Sequence, residues 1–357
     1  MQMQMKYSRV FLVLAIAAAL WNSHALAQVT PAQNALYVSN FNTNTITAYD
    51  AGTGASLGTV VTAGPELSGM NGFAIAPDGS FYVAGQNTNN IVHYSKSGKL
   101  IKVLDPNNTA GLASPQGVNI GPDGLLYVAS MNNGKIARFD TTNETFKDIF
   151  TNVTLTGVEQ AQPIEPRFDK DGNLVVTTFQ GGRVLKYQGP VVPPGSVPSK
   201  GGTPPGTLIL VFQLPPTASA TDTDTAYASG DTLEEYEESE DVKSGSATAV
   251  ATKRRNRWVV DAINPTTLVG EVQEYMDDGT FVSFVVPNGR GGLVLTGGIA
   301  IGPDKKLYLA NVRVDQNFND IGSEILRFDP ISGKFLGIFV PAGQGLSVPF
   351  SIRFGPR

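Results

Sequence analysis

The chain has 357 residues, 41% hydrophobic and only 16% charged, with 39 Gly, 23 Pro, no Cys and a formal net charge of −5. That turn-rich, charge-poor composition excludes a coiled coil, a helical bundle and a disordered chain, and points to many short strands joined by tight turns. An acidic chain whose only basic cluster is Lys253-Arg254-Arg255 is also a poor candidate for nucleic-acid binding.

At the N-terminus, Lys6 and Arg9 precede an uninterrupted apolar run over residues 10–20, and Ala25-Leu26-Ala27 follows with small-x-small spacing. The run is too short for a bilayer span, which needs about 20 residues. Residues 1–27 read as a cleaved signal peptide, with 28–357 as one mature, secreted or periplasmic domain. No later run approaches membrane length, so no membrane span is expected. The absence of Cys removes disulfides and thiol chemistry, leaving stability to the core.

The next elements repeat. GFAIAPDGSFYVA at residues 72–84 recurs as GVNIGPDGLLYVA at 117–129 and GIAIGPDKKLYLA at 298–310, with a diverged copy at 165–177. Each copy reads as strand, tight Pro-Asp-Gly turn, strand. A third strand follows each copy, at residues 91–94, 135–139, 184–187 and 325–328, and a fourth follows that, as at 100–104. Four strands every 45 to 48 residues predict the blades of a β-propeller.

Six blades are expected. Residues 36–39 match a second strand without a first, and residues 351–356 supply the missing first strand from the C-terminus, which closes the ring and removes an exposed edge. Blade five is degenerate, with expected strands at 247–252, 258–260, 272–275 and 281–286. Two insertions interrupt the pattern. Residues 189–206 are a Pro/Gly-rich turn within blade four. Residues 215–245 hold nine carboxylates and one Lys, and read as a disordered, solvated acidic loop on the pocket side, the alternative being an electrostatic gate that favours cationic ligands. The stretch between Asn311 and Glu324 in blade six is longer than its counterparts and should overhang the same face.

The segment PQGVNIGPDGLLYVAS at 115–130, followed by KIARFD at 135–140, resembles the NHL repeat and the blades of SMP-30/gluconolactonase-like six-bladed propellers. The resemblance covers nearly all of residues 35–357 and implies an all-β, six-bladed propeller. It is weak for activity, since this fold hosts enzymes and binding scaffolds alike.

Two rings of side chains should surround the axis. The residue before each innermost strand gives Asn71, Gln116, Ile164-Glu165, Gly297 and Phe350. The end of each second strand gives Asn40, Gly85, Ser130, Thr178, Asp261 and Asn311. The five polar members of the second ring are candidate ligand-binding residues, the alternative being that they bond only loop backbones. The family resemblance implies a divalent cation at the axis, with Asn71, Gln116 and Glu165 as the corresponding ligands and Ca2+ or another divalent cation as the ion. Gln116 stands where those enzymes keep Asp, so the carboxylate that would act as base is missing.

His93 is the only His after residue 27. Its column, shared with Ala48, Arg138, Lys186 and Arg327, is expected to face solvent, away from any Ser-His-acid arrangement. Asp169 to Asn173 resembles part of a calcium loop but coincides with the ordinary blade turn. Together these residues favour an exported, monomeric, non-enzymatic propeller that binds an unidentified small molecule or protein at its pocket face. The alternative is a divalent-metal lactonase or ester hydrolase, and the residues leave the question of enzymatic activity open.

Overall fold

The computed structural model describes residues 34–154, 161–179, 182–191, 203–213, 227–239, 254–263 and 269–355. The expected signal peptide and the expected strand at 247–252 lie outside them. No helix among the described residues is long and apolar enough to cross a membrane.

The architecture is the expected all-β ring of six four-stranded antiparallel blades. Blade one comprises β1 (Ala35–Asn40), β2 (Thr45–Asp50), β3 (Ser56–Thr62) and, from the far end of the chain, β24 (Pro349–Phe354). Blades two and three follow as β4 (Met70–Ile75), β5 (Phe81–Gly85), β6 (Asn90–Tyr94), β7 (Leu100–Leu104), then β8 (Pro115–Ile120), β9 (Leu126–Ser130), β10 (Lys135–Asp140), β11 (Thr145–Asn152). Blade four is β12 (Pro163–Phe168), β13 (Leu174–Thr178), β14 (Arg183–Tyr187) and β15 (Leu208–Gln213). Blade five is β16 (Tyr227–Ser239), β17 (Arg254–Ile263), β18 (Gly270–Met276) and β19 (Phe281–Val286), and blade six is β20 (Leu295–Ile301), β21 (Leu307–Val312), β22 (Glu324–Phe328) and β23 (Phe335–Val340).

Closure is as expected. β24 lies antiparallel to β1, with Leu36 opposite Phe354 and Val38 opposite Ile352. Alternation explains the core: in β1, Tyr37 packs toward blade two beside Phe73 and Phe81, while Leu36 and Val38 pack toward blade six beside Tyr308 and Ile325. Each blade therefore presents one apolar face to each neighbour, and removing one inner strand exposes two interfaces.

Blade five departs from expectation. Its inner strand is β16, taken from the acidic stretch, and residues 227–239 of that stretch are not a loop. The register places Glu238 opposite Arg255 and Tyr236 opposite Arg257. An acidic run that looks solvated by itself is here a strand whose backbone register sets it against the strand that begins with the basic cluster. Glu234 to Ser239 continue past the ring level, so this part of the acidic stretch runs away from the pocket face rather than over it.

Every inner strand carries a bulge at the same level. Asn71 and Gly72 stand opposite one residue of β5, as Gln116 and Gly117 do in blade three, Ile164 and Glu165 in blade four, and Gly297 and Gly298 in blade six. Phe350 is the extra residue in blade one, and four residues between Ala228 and Leu233 fill the position in blade five. A bulge takes a residue out of the ladder and re-aims its side chain. Here it also lets the inner strands touch: a Cβ on Gly72 would lie 2.6 Å from the Gln116 carbonyl oxygen, and one on Gly117 would lie 2.5 Å from that of Ile164.

Candidate functional site

The bulges gather the first ring. Asn71 Nδ2 donates to Gln116 Oε1 at 2.6 Å and to Gln86 Oε1 at 3.0 Å, linking blades two and three. Gln116 Nε2 reaches back to Ser114 Oγ at 3.3 Å. Glu165 follows on the next inner strand, close enough that a Cβ on Gly117 would meet its Oε2 at 2.0 Å. The expected trio of Asn71, Gln116 and Glu165 is thus brought to one level of the axis.

Two residues that sequence reasoning missed change its chemistry. Glu165 is 0% exposed and lies 3.1 Å from Arg167 Nε of its own strand. Arg353 of blade one reaches across the axis to the same Glu165 Oε1 at 2.6 Å. The signal was present in the repeat. The column that reads Ala74, Asn119 and Ala300 in three blades reads Arg167 and Arg353 in the two that oppose each other.

This arrangement does not fit the divalent cation implied by the family resemblance. Glu165 is the only carboxylate of the expected ligand set, and two guanidinium groups already lie against it. A divalent ion there would meet two like charges and two neutral amides, whereas Ca2+ sites rely on several anionic oxygens. Among the described residues, no group of three or more His, Asp or Glu side chains is gathered closely enough to hold a metal.

The second ring is spent on the backbone. Asn40 Oδ1 accepts the Ser347 N–H at 2.8 Å, Ser130 Oγ accepts that of Ala113 at 2.8 Å, and Asn311 Oδ1 accepts that of Val294 at 2.8 Å. Each fixes the loop that leads into the inner strand of its own blade. Thr178 Oγ1 instead bonds both backbone groups of Arg183, at 3.0 and 3.2 Å. Asp261 is one residue out of the expected column. The register sets it opposite Val272, as Ala84 is opposite Ile91, so it lies behind the bulge, fully buried. A one-residue slip is enough to turn a strand side chain to the other face.

His93 is not solvent-facing. It is 7% exposed, stacked on Tyr82 at 4.2 Å, with Nε2 2.8 Å from Ser80 Oγ and Nδ1 paired with Glu144 of blade three. A Ser80–His93–Glu144 chain does exist, at the face opposite the axial ring. Its neighbours explain it. In the same column Arg138 bridges Asp123 at 3.3 Å and Asp148 at 2.6 Å, and Lys186 bridges Asp169 at 2.7 Å and Asp277 at 3.2 Å. Burial opposes the charge on Lys186, but the Asp169 and Asp277 carboxylates more than offset it and raise its pKa. In these blades the strand-three cation ties the turn aspartate to a second carboxylate, and His93 is the blade-two version. Ser80 Oγ donates to Asp78 Oδ1 at 2.6 Å and Ser80 is 3% exposed, so the hydroxyl is engaged and covered.

The loop over residues 313–323 overhangs the axial face as expected. Asn42 Nδ2 donates to the Phe318 carbonyl at 2.8 Å and ties that loop to blade one. Phe318 is 43% exposed and sits beside Phe41 and Phe350, with centroids 6.5 and 6.3 Å away.

No protein-family model matches the chain, and no curated relative does. Solved structures do share its fold. A protein of unknown function from Bacteroides caccae is 14% identical, with 91% of this chain and 100% of that one covered at a TM-score of 0.57. The nidogen/laminin complex is matched at 13% identity, 90% and 98% coverage and a TM-score of 0.53. A putative 6-phosphogluconolactonase from Bacteroides uniformis is matched at 14% identity, 90% and 99% coverage and a TM-score of 0.52. At such identities the likeness is one of fold, and the chain is a six-bladed β-propeller of the architecture these neighbours share.

Proposed function

We propose that the protein is an exported, non-enzymatic propeller that binds an uncharged ligand at the axial face. The observation that carries this reading is the Asn71–Gln86–Gln116 amide network at the bulge level. Among the described residues Asn71 Oδ1 and Gln86 Nε2 make no hydrogen bond, which leaves an acceptor and a donor for a ligand. Glu165, the carboxylate of the expected ligand set, is engaged by Arg167 and Arg353, which supports binding over metal-assisted hydrolysis. Export rests on the basic, apolar and small-x-small pattern of residues 1–27.

A fragment screen by ligand-observed NMR tests the site, comparing the wild type with the Asn71→Ala/Gln116→Ala double variant. Hits that bind only the wild type are expected; hits indifferent to both substitutions would place the ligand elsewhere. A panel of lactones and esters, run with and without chelator, tests the non-enzymatic part. Chelator-sensitive turnover would overturn it.

A further inference from the structure

The axial face carries an aromatic wall that its repeat does not require. Phe350 occupies the bulge of blade one, at the level where blades two and three place Asn71 and Gln116. Phe41 follows β1 and packs edge-on against Phe350, with centroids 5.3 Å apart. Its Cε2 lies 3.1 Å from where a Cβ on Gly69 would stand, two residues before Asn71. Phe318 completes the wall from the long blade-six loop. Three segments remote in sequence thus put three rings on the axial face, next to the blade that carries Asn71 and Gln86.

Phe318 is held there at a cost. Its φ is +63°, in the left-handed region where a bulky aromatic residue is an outlier and Gly or Asn is the ordinary choice. The loop enforces this conformation: the Phe318 N–H donates to the Asp315 carbonyl at 3.0 Å, and Asp315 Oδ1 accepts the N–H groups of Asn317 and Asn319 at 2.9 Å. The backbone of Phe318 ties the loop to blade one, but that role needs only its carbonyl and leaves the exposed aromatic side chain unexplained. Strain of this kind collects where a side chain must be presented.

We infer that the wall and the amides form one binding site for a small, uncharged aryl compound bearing a carboxamide-type group. This rests on the axial reading proposed above and specifies its ligand. The ring would lie against Phe318 and Phe350, whose side chains offer aromatic surface and no polar atom. The substituent would meet Asn71 Oδ1 and Gln86 Nε2, an acceptor and a donor that match the donor and acceptor of a carboxamide. A neutral substituent is favoured, because the amides carry no charge and the axial guanidiniums are already paired with Glu165. Size is limited, because the Arg353–Glu165 pair spans the axis at 2.6 Å and closes the site below.

Benzamide is the probe, with benzoate and cyclohexanecarboxamide as controls, observed by saturation-transfer NMR against the full chain at millimolar concentration. Saturation should be strongest on the benzamide ring protons, and benzoate and cyclohexanecarboxamide should each bind less well. Phe318→Asn suits the left-handed backbone and should leave Tm near the wild-type value, yet weaken benzamide about three- to tenfold, the range expected for one aromatic contact. Asn71→Ala should weaken it comparably. No benzamide saturation in the wild type, or benzoate bound more tightly than benzamide, would overturn the inference. Equal benzamide binding by wild type and Phe318→Asn, with loss in Asn71→Ala, would remove the aryl wall and leave the axial reading standing. Equal binding by all three proteins would remove the aryl site, and the fragment screen would then decide the axial reading separately.

Discussion

The two faces of the ring are made by the same repeat and use it in opposite ways. On the far face the chemistry recurs. A turn aspartate meets a strand-three cation in blades three and four, at 3.3 and 2.7 Å, and Arg327 faces Asp304 at 3.9 Å in blade six. On the axial face the loop-capping bonds of Asn40, Ser130 and Asn311 recur, but the side chains at the bulge do not. The bulge is present in all six blades, but it carries Asn71, Gln116, Glu165, Gly297 or Phe350, with nothing repeated. Side chains that recur with the blade serve the blade, and side chains that vary at a recurring backbone position are the ones available for function. This reading separates Ser80–His93–Glu144, which looks catalytic in isolation, from the amides and Phe318, which do not recur from blade to blade.

The largest effect should come from breaking the ring that both faces share. Deletion of residues 349–357 removes β24, hence the partner of β1, the apolar contacts of Ile352 and the Arg353–Glu165 pair. The expected outcome is loss of a cooperative thermal transition and a shift to aggregates in size-exclusion chromatography. A monomer with wild-type Tm would show that closure does not stabilise the ring.

The far face should be next in size. Lys186→Met leaves Asp169 and Asp277 without the ammonium that links blade four to blade five, and breaking such a buried pair costs about 3–5 kcal/mol. Chemical denaturation at neutral pH measures it. The pH dependence has a defined sign. Because the folded state raises the Lys186 pKa, its contribution is complete below the unfolded lysine value, about 10.4, and fades as pH rises through the higher folded one. The deficit of Lys186→Met should therefore be constant from neutral to mildly alkaline pH and shrink only beyond that. Benzamide binding should not change.

The strand order, the closure and the ring level were legible because Pro-Asp-Gly turns and period-two alternation impose them locally. Two features were not. The strand identity of residues 227–239 depends on their partner at 254–263, since a run such as Glu234, Glu235, Glu237 and Glu238 has no apolar periodicity of its own. The axial ion cluster depends on two inner strands facing each other across the ring, and no local pattern shows that Arg353 reaches Glu165. His93 was misplaced for a related reason: alternation gave its side of the strand, but the covering Glu144 comes from the next blade.

A moderate effect is expected at the axis. Glu165→Gln leaves Arg167 and Arg353 facing a neutral amide, so two half-buried cations lose a shared carboxylate across the ring. Tm should fall, by less than in Lys186→Met if the more accessible guanidiniums regain water, and added Ca2+ should stabilise neither this variant nor the wild type. Calcium-dependent stabilisation of the wild type that vanishes in Glu165→Gln would mean that the arginines yield to an ion, and would reopen the metal-site reading.

The smallest effect tests the comparison most directly. If Ser80 and His93 are a copy of the far-face lattice, Ser80→Ala should cost only what one hydrogen bond to a carboxylate contributes, about 1.5–3 kcal/mol. His93 would keep its pair with Glu144 and its stack on Tyr82, which hold it without the hydroxyl. A fluorophosphonate probe should not label the folded protein, because Ser80 is covered and its hydroxyl is directed at Asp78. A nucleophilic serine would give the opposite pair of results: labelling in the wild type that disappears in both Ser80→Ala and His93→Gln. That outcome would move the chemistry to the far face and show that a repeated position had been turned to catalysis.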